Sequence, residues 1–318
     1  MIAVLGLGSI GLRHARNALA LGQEVIGFDP SAQRRELLRS AGGEAAIGRG
    51  QALDRADAVV VASPSGCHLD DLAECIGRKL PVLVEKPLAH RADQVAPLLE
   101  QAGRDGVMVA VAMMLRLHPA VARTRALLAD GRLGRLLWGR FLAALYLPDW
   151  RPGQDWTQGY ANDPRTGGAL FDYIHEVDLA AHLLGPATAL ACVAGHSGTL
   201  NLAAEDVADM VLGHPGGVHS AIHVDYVTRP RHRAAEIAGT AGVVRLDLDR
   251  RILEWRDGDG QVTEECVFAG SYGDDYLAEM AAFLAACRGE SAAPCSGAEA
   301  LAVLQCLISA RSLAGLPA

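Results

Sequence analysis

The first 118 residues alternate short apolar runs with longer amphipathic segments. Runs such as IAVLG, EVIGF and AVVVAS predict buried strands. The segments between them, for example SIGLRHARNALALG, carry apolar residues at helical spacing. Strands that alternate with helices of this length are typical of βαβ units. We therefore expect residues 1–118 to form an α/β domain around a parallel sheet.

After Pro119 the pattern changes. The stretch RLLWGRFLAALYL predicts a long strand, and a loop rich in Pro, Gly and Trp separates it from a helix at about residues 169–184. Further strands are separated by turn signals such as HPGG and DGDG, and two helices close the sequence. Consecutive strands joined by tight turns favour antiparallel pairing. We expect residues 119–318 to form an α+β domain with an open, mostly antiparallel sheet.

The composition excludes several functional classes. The sequence has 318 residues and a formal net charge of −8, without the basic footprint that nucleic acid or an anionic membrane would require. No apolar run reaches the roughly 18 residues of a membrane-spanning helix. The seven cysteines are odd in number, widely spaced and lack a C-x-x-C pair. We expect no disulfide framework, no metal site and a reducing, cytoplasmic location.

A glycine motif opens the first predicted helix. The stretch GLGSIG, residues 6–11, fits G-x-G-x-x-G and lies between a strand and a helix, as a dinucleotide fingerprint requires. The first glycine permits the tight turn, the second lets a pyrophosphate approach the backbone, and the third allows close helix–strand packing. This context predicts a Rossmann domain that binds the cofactor through Gly6, Gly8, Ser9, Ile10 and Gly11.

An acid at the end of the second strand bears on the choice of cofactor. Asp29 lies 18 residues beyond Gly11, where a carboxylate accepts hydrogen bonds from the adenosine ribose and repels a 2′-phosphate. This position favours NAD. Arg34 and Arg35 follow closely and could bind a 2′-phosphate, so NADP stays an alternative.

The apolar run PVLV ends in Glu85-Lys86-Pro87. Ligands of parallel α/β sheets bind at the carboxyl ends of the strands, so Lys86 is expected at the cofactor. Pro87 disfavours the helical region for Lys86 and thereby directs the chain. Other cofactor candidates near strand ends are Ser63, Pro64, His68 and Glu85.

Five motifs occur in the order found in one known family. They are GLGSIG at 6–11, ASPSGCH at 62–68, VEKPLA at 84–89, LRLHPAV at 115–121 and GGALFDYIHEVDLAAHLLG at 167–185. On these residues the chain resembles the glucose–fructose oxidoreductase / inositol dehydrogenase / MocA (Gfo/Idh/MocA) family. The resemblance covers the first domain and the start of the second. The segments HEVD and YLPDWRPGQDW are similar to a subgroup encoded near sialic- and legionaminic-acid synthesis.

The resemblance implies a carbohydrate-like substrate, namely a sugar, cyclitol or nucleotide-linked sugar, and an open sheet that commonly packs in a homodimer or homotetramer. It implies that Lys86 is catalytic, that Asp172 and His175 assist, and that the Lys86–Pro87 bond is cis. Many members have Asp-x-x-x-His, whereas this chain has Asp172-Tyr173-Ile174-His175. Three positions apart on the predicted helix, the two side chains would still share a face.

Oxidation of a secondary alcohol needs a hydride acceptor, a base and a group that stabilises the oxyanion. A histidine titrates near neutral pH, so we assign His175 as general acid/base. Lys86 would polarise the oxygen. Asp172 would orient either the substrate or His175.

Side-chain chemistry indicates which residues are candidates for substrate binding. An arginine suits a carboxylate or phosphate through a forked contact, and aromatic faces suit sugar rings. The candidates are Arg116, His118, Trp150, Arg151, Trp156 and Tyr160.

Three functions are compatible with these residues. The first is an NAD(P)-dependent dehydrogenase that acts on CH–OH groups. The second is a redox-neutral glycosidase or lyase that oxidises the sugar transiently and then reduces it again. The third is a non-catalytic NAD-binding sensor, which the presence of Lys86 and His175 disfavours.

Overall fold

A computed structural model of the protein describes residues 1–150 and 155–317. The described chain divides into two compact units. The first comprises Met1–Leu117 with Gly270–Leu301, and the second comprises His118–Ala269 with Ala302–Ala318. Residues 270–301 are predicted from sequence to belong to the second domain, whereas their contacts group them with the first unit.

The first unit is built on a six-stranded sheet in the order β3-β2-β1-β4-β5-β6, and every neighbouring pair is parallel. This arrangement confirms the predicted Rossmann domain. The sequence pattern missed β3 because two residues are too few to show a period. The strands are β1 (Ile2–Leu5), β2 (Val25–Phe28), β3 (Glu44–Ala45), β4 (Ala58–Val61), β5 (Val82–Val84) and β6 (Val109–Val111).

Helices bury the apolar strands of this sheet. Helix α10 contributes Met280, Phe283 and Leu284 to the same apolar core as Leu12 and Ala15 of α1, which explains why a segment so late in the sequence belongs to the first unit. The helices of the first unit are α1 (Ser9–Ala20), α2 (Ala32–Ser40), α3 (Arg49–Asp54), α4 (His68–Gly77), α5 (Ala92–Asp105) and α10 (Tyr272–Cys287), and α11 (Gly297–Leu313) is shared by the two units.

The second unit contains an eight-stranded sheet in the order β14-β13-β12-β11-β7-β10-β9-β8. The β7–β10 pair is parallel and the other pairs are antiparallel, which confirms the predicted sheet type. The strands are β7 (Leu136–Tyr146), β8 (Thr188–Gly195), β9 (Val207–Gly213), β10 (His219–Asp225), β11 (Val227–Gly239), β12 (Gly242–Asp247), β13 (Ile252–Asp257) and β14 (Val262–Val267).

One expectation about the second unit is wrong. The predicted single helix at 169–184 is two helices, because the chain leaves the α-helical conformation at Tyr173, with φ −96° and ψ 29°. The Glu176 N–H donates to the Tyr173 carbonyl three residues back, which tightens this turn. The helices of this unit are α6 (Pro119–Ala129), α7 (Leu147–Trp150), α8 (Gly168–Asp172) and α9 (Ile174–Leu184).

The two faces of this sheet differ. Helices α6, α8 and α9 pack against its strands on one face. On the other face alternate strand residues point outward and line a groove of about 860 Å³, among them Arg140, Val193, Asp209, Val211, His223 and Arg245. In the part of the chain that the structure describes, no helix is both long enough and apolar enough to span a membrane.

Candidate active-site segments

The turn between β1 and α1 has the geometry of an anion-binding loop. Gly6 adopts φ +85°, and a Cβ on Gly11 would lie 1.9 Å from the Gly6 carbonyl oxygen, so both positions require glycine. No heavy atom lies within 4 Å of a Cβ built on Gly8, which caps α1 without a side-chain hydrogen bond. The first N–H groups of α1, at Ser9 and Ile10, are therefore suited to hold a pyrophosphate.

Asp29, directly after β2, stabilises the turn between β1 and α1 through a hydrogen bond. Its carboxylate is only 3% exposed and accepts hydrogen bonds from the Leu7 N–H at 2.9 Å and the Ser31 N–H at 2.8 Å. The Arg34 guanidinium donates to it at 3.3 Å, and Arg35 donates to the Asp29 carbonyl at 2.6 Å. Each carboxylate oxygen can accept more than one hydrogen bond, so Asp29 can hold the turn and still accept from a ribose hydroxyl.

The segment after β4 carries Ser63, Pro64 and His68. The Ser63 hydroxyl donates to Asp71 at 2.6 Å. The buried His68 ring lies 2.9 Å from the Ser63 carbonyl oxygen through Nε2 and 2.9 Å from the Pro87 carbonyl oxygen through Nδ1. His68 thus connects the segment after β4 to the residue that follows Lys86.

Glu85 and Lys86 follow β5, and the Lys86–Pro87 bond is cis, as expected. The buried Glu85 carboxylate lies 2.7 Å from His14 Nε2 and accepts the Lys86 N–H at 3.1 Å. Burial raises the pKa of Glu85, but the His14 hydrogen bond and the charges of His14 and Lys86 outweigh it, so this pKa lies below its ordinary value.

His14 is a residue that the sequence analysis missed. It is fully buried on α1, three positions after Gly11. Two buried histidines therefore hold the neighbours of Lys86: His14 contacts Glu85, and His68 contacts Pro87. In the sequence, His14 is a histidine on the apolar face of the first helix, which is typical of an ordinary core residue. Its contact with Glu85 becomes evident only when the position of β5 is known.

Arg116 and His118 have structural contacts. Arg116 in the first unit is 6% exposed and donates to the Pro294 carbonyl at 2.8 Å and to Glu299 at 2.7 Å. His118 in the second unit caps α6 by accepting the Ala120 N–H, and its Nε2 lies 3.2 Å from the Leu248 carbonyl oxygen. Both residues therefore have partners within the protein, and their predicted contact with a substrate stays a prediction.

In the second unit, the start of α8 is fixed by a buried ion pair. Gly168 adopts φ +84°, and a Cβ there would lie 2.3 Å from the Glu205 carboxyl carbon. Glu205 accepts the Leu170 N–H at 3.2 Å and pairs with Arg311 at 3.1 Å. Burial raises the pKa of Glu205 although Arg311 opposes the shift. The glycine thus lets α8 begin against a carboxylate, which orients the helix that ends at Asp172.

Asp172 is held by two tyrosines. The Tyr160 hydroxyl donates to its Oδ1 at 2.8 Å, and the Tyr226 hydroxyl donates to its Oδ2. Asp172 is 6% exposed, Tyr226 is fully buried and Tyr160 is 47% exposed. Sequence reasoning missed Tyr226 because it lies at the junction of β10 and β11, 54 positions from its partner.

His175 lies in the first turn of α9 and is 5% exposed. The break at Tyr173 places Asp172 and His175 in different helices, so the shared helical face that the sequence suggested does not exist. The next residue, Glu176, is clamped by Arg233, whose Nε and Nη2 donate to its two oxygens at 2.8 and 3.2 Å. This buried, two-pronged pair ties the first turn of α9 to β11.

The aromatic candidates lie at the end of α7 and in the two short 3₁₀ turns Trp156–Gln158 and Tyr160–Asn162. Trp150 ends α7 and is 42% exposed, and Trp156 begins a short 3₁₀ turn, Trp156–Gln158, and is partly buried. Arg151 lies outside the described residues. Tyr160 contacts a candidate catalytic residue, because its hydroxyl donates to Asp172.

A parallel sheet whose first strand leads through an open glycine turn into a helix is the architecture of a dinucleotide-binding protein. Residues 1–113 match the model described as "Oxidoreductase family, NAD-binding Rossmann fold", and residues 121–245 match the "GFO/IDH/MocA C-terminal domain". The chain belongs to the Gfo/Idh/MocA family. It is an oxidoreductase whose first domain binds NAD.

Curated relatives and solved structures agree with this assignment. D-apiose dehydrogenase from Paraburkholderia graminis is 27% identical over 80% of this chain and 70% of its own length. The scyllo-inositol 2-dehydrogenase (NAD(+)) from Bacillus subtilis is 28% identical over 63% of this chain and 57% of its own length. Levoglucosan dehydrogenase, solved with NADH and levoglucosan, superposes with a TM-score of 0.88 at 18% identity, covering 99% of this chain and 96% of that one.

Proposed function

We propose that the protein transfers hydride between a secondary hydroxyl of a carbohydrate-like substrate and nicotinamide C4 of NAD. The observation that carries this proposal is Lys86, held directly after β5 through Glu85 and Pro87 in a unit whose glycine turn suits a pyrophosphate. The relatives named for apiose and inositol support a sugar or cyclitol substrate.

The use of lysine in this chain supports the role of Lys86. Of the 29 Lys and Arg residues only two are lysines, Lys79 and Lys86. Lysine supplies a compact ammonium that can gain and lose a proton, whereas arginine stays charged. Apart from Lys79, every basic residue of the Lys/Arg type is an arginine, and Lys86 stands at the position where an oxyanion would be stabilised.

The proposed roles follow from the side chains. His175 acts as general acid/base, since its imidazole can take a hydroxyl proton near neutral pH. Lys86 stabilises the developing oxyanion by donating a hydrogen bond to it. Asp172 accepts a hydrogen bond that orients the reactants. NAD, when bound, supplies the hydride acceptor.

We propose that the aromatic residues near α7 grip the substrate. Trp150 and Tyr160 expose ring surface that suits the apolar face of a sugar. Trp156 has the same proposed role, and so does Arg151, which lies outside the described residues. Arg116 and His118 remain proposed substrate contacts, and each also has a partner within the protein.

The test is a panel of D-apiose, scyllo-inositol, levoglucosan and D-xylose, each assayed with NAD and with NADP through NADH or NADPH absorbance. Lys86→Ala should lower kcat by at least ~100-fold with NAD affinity unchanged, because an oxyanion donor is typically worth that much. Lys79→Ala is the matched control, since Lys79 is exposed and the only other lysine. Equal turnover in both variants would remove Lys86 from the mechanism.

The same panel separates the alternatives. Sugar conversion without net NADH, with NAD retained through purification, would indicate the redox-neutral reaction. NAD binding without conversion of any sugar would indicate a sensor. A preference for NADP would contradict the Asp29 argument.

We further propose that the outward face of the second sheet joins two copies of the chain. Val193 is 75% and Val211 39% exposed on this face, and acids and bases alternate around the groove. A face with both signs of charge can pair with a second copy of itself. Val193→Asp should shift the mass measured by light scattering from dimer or tetramer towards monomer, and an unchanged mass would exclude this face.

We propose a reducing, cytoplasmic location for the protein. All seven cysteines lie within the described residues, and no disulfide joins them. Burial raises the pKa of the Cys75 thiol to about 12 and that of Cys306 to about 11, which keeps both as unreactive thiols.

A further inference from the structure

The carboxylate of Asp172 has a partner that the proposed mechanism does not use. Tyr226 is 0% exposed, so its hydroxyl is inaccessible in this unit and acts only on its protein neighbours. The residue is fixed through its backbone, because its N–H donates to the Asp206 carbonyl at 2.9 Å and its carbonyl accepts the Leu147 N–H at 2.9 Å. A phenol on such a backbone is a rigid donor.

The Tyr226 hydroxyl has two acceptors within reach. One is Asp172 Oδ2, and the other is the Gly168 carbonyl oxygen at 2.9 Å. A hydroxyl carries one hydrogen and donates to one acceptor at a time, and an ionised carboxylate is the stronger acceptor. Burial, followed by the charge of Asp172, raises the pKa of Tyr226 well above its ordinary value, so the group remains a donor at neutral pH.

The second oxygen of Asp172 has different surroundings. Oδ1 accepts from Tyr160, which is half exposed and belongs to the candidate substrate-binding loop. One oxygen is thus held from the buried side and the other is in contact with a residue open to ligands. The break at Tyr173 separates this carboxylate from the helix of His175.

We infer that Tyr226 is a positioning residue that fixes Asp172 as a hydrogen-bond acceptor for a substrate hydroxyl, on the side of the carboxylate that Tyr160 contacts. This inference rests on the proposed function, in which Asp172 orients the reactants.

The chain offers a matched control for the loss of this hydroxyl. The Tyr173 hydroxyl is also buried, and within the described residues it has no hydrogen-bond partner. Its ring centroid lies 5.8 Å from that of Tyr226. Tyr226→Phe and Tyr173→Phe therefore delete the same atom in the same neighbourhood, and only the first deletes a hydrogen bond to Asp172.

The experiment measures kcat, KM and NAD affinity for both variants with the sugar panel. Tyr226→Phe should lower kcat/KM by ~10–100-fold, because a hydrogen bond to a charged group is worth that much in the transition state. NAD affinity should not change. Tyr173→Phe should stay within about twofold of wild type, since no bond is lost.

A double-mutant cycle shows whether Tyr226 acts through Asp172. In an Asp172→Ala background the further change Tyr226→Phe should cost less than about twofold, because the hydroxyl can then donate only to the Gly168 carbonyl and no longer positions a carboxylate. An equal cost in both backgrounds would assign the effect to packing and overturn the inference. Normal rates in Tyr226→Phe would overturn it directly. If the wild type converts no sugar of the panel, the proposed function fails and the inference fails with it.

Discussion

The two candidate catalytic segments are held in different ways. Lys86 lies between two residues whose partners are buried histidines, His14 and His68. The segment from Asp172 to His175 is instead held by a tyrosine, Tyr226, and an ion pair. The two supports in the first unit are histidines, which can be neutral. In the second unit one support is a buried ion pair between Arg233 and Glu176. Loss of one partner should therefore be more damaging in the second unit.

The largest effect is expected for Arg233→Met. This change removes the two-pronged partner of the buried Glu176 carboxylate, and breaking a buried ion pair typically destabilises a protein by ~3–5 kcal/mol. Urea unfolding measures the loss. Arg245→Met is the control, because its pair with Glu236 is more than half exposed on the arginine side and should be worth under ~1 kcal/mol. Equal losses would show that burial of the pair does not matter here.

A smaller effect is expected for His14→Leu in the first unit. Glu85 keeps the Lys86 N–H as a donor, so the loss should be ~1–3 kcal/mol, the cost of an incompletely satisfied buried acceptor. His14→Gln retains a donor at the position of Nε2 and should recover most of this stability and most of kcat. If Gln and Leu behave alike, the hydrogen bond to Glu85 does not support Lys86.

The next effect concerns cofactor choice. Asp29→Ser removes the negative charge and leaves Arg34 and Arg35 beside the adenosine ribose position. We expect the NAD-to-NADP preference in kcat/KM to fall by ~10-fold or more, since one charge contact is worth ~1–2 kcal/mol. Part of the loss with NAD would come from the Leu7 N–H, which Asp29 also accepts. Asp29→Asn separates the two effects, because it removes the charge and keeps one acceptor oxygen.

The smallest effect is a pH dependence on the outward face of the second sheet. Hydrogen bonds to Asp225 and Asp209 raise the pKa of His223 to about 9, although burial opposes the shift. A raised folded-state pKa gives stability that is complete below about pH 6.5 and lost as the pH rises through 9. Because His223 is about one-third exposed, we expect under ~1 kcal/mol. Unfolding of His223→Gln should lack this slope between pH 6.5 and 9.

The fold was largely predictable because most helices and strands are long enough to show their hydrophobic period, and turn residues separate many of the strands. The GLGSIG motif and the strand before it specified the Rossmann unit, and the turn signals HPGG and DGDG specified antiparallel strands. The break at Tyr173 was not predictable, since apolar spacing continues through it and only the backbone departs from helix.

The supports of the site were less predictable than its candidate catalytic residues. Lys86 and His175 stand in local motifs. Their neighbours Glu85, Asp172 and Glu176 are instead held by His14, Tyr226 and Arg233, which lie 71, 54 and 57 positions away in sequence. No spacing rule covers such distances, because the register of a sheet decides which residues meet. Arg116 is a related case, since its side-chain type predicts anion binding and the structure adds an internal carboxylate partner that no sequence pattern indicated.

Because the chain has only two lysines, chemical labelling of amines can report on ligand binding at Lys86. Reductive methylation with isotope-enriched formaldehyde modifies primary amines, and this chain has only Lys79, Lys86 and the N-terminus. A nuclear magnetic resonance spectrum of the methylated protein should therefore contain three sets of methyl signals. The Lys86 signal alone should respond to NAD and to sugars, so that ligand binding can be followed at a single atom without any engineered label.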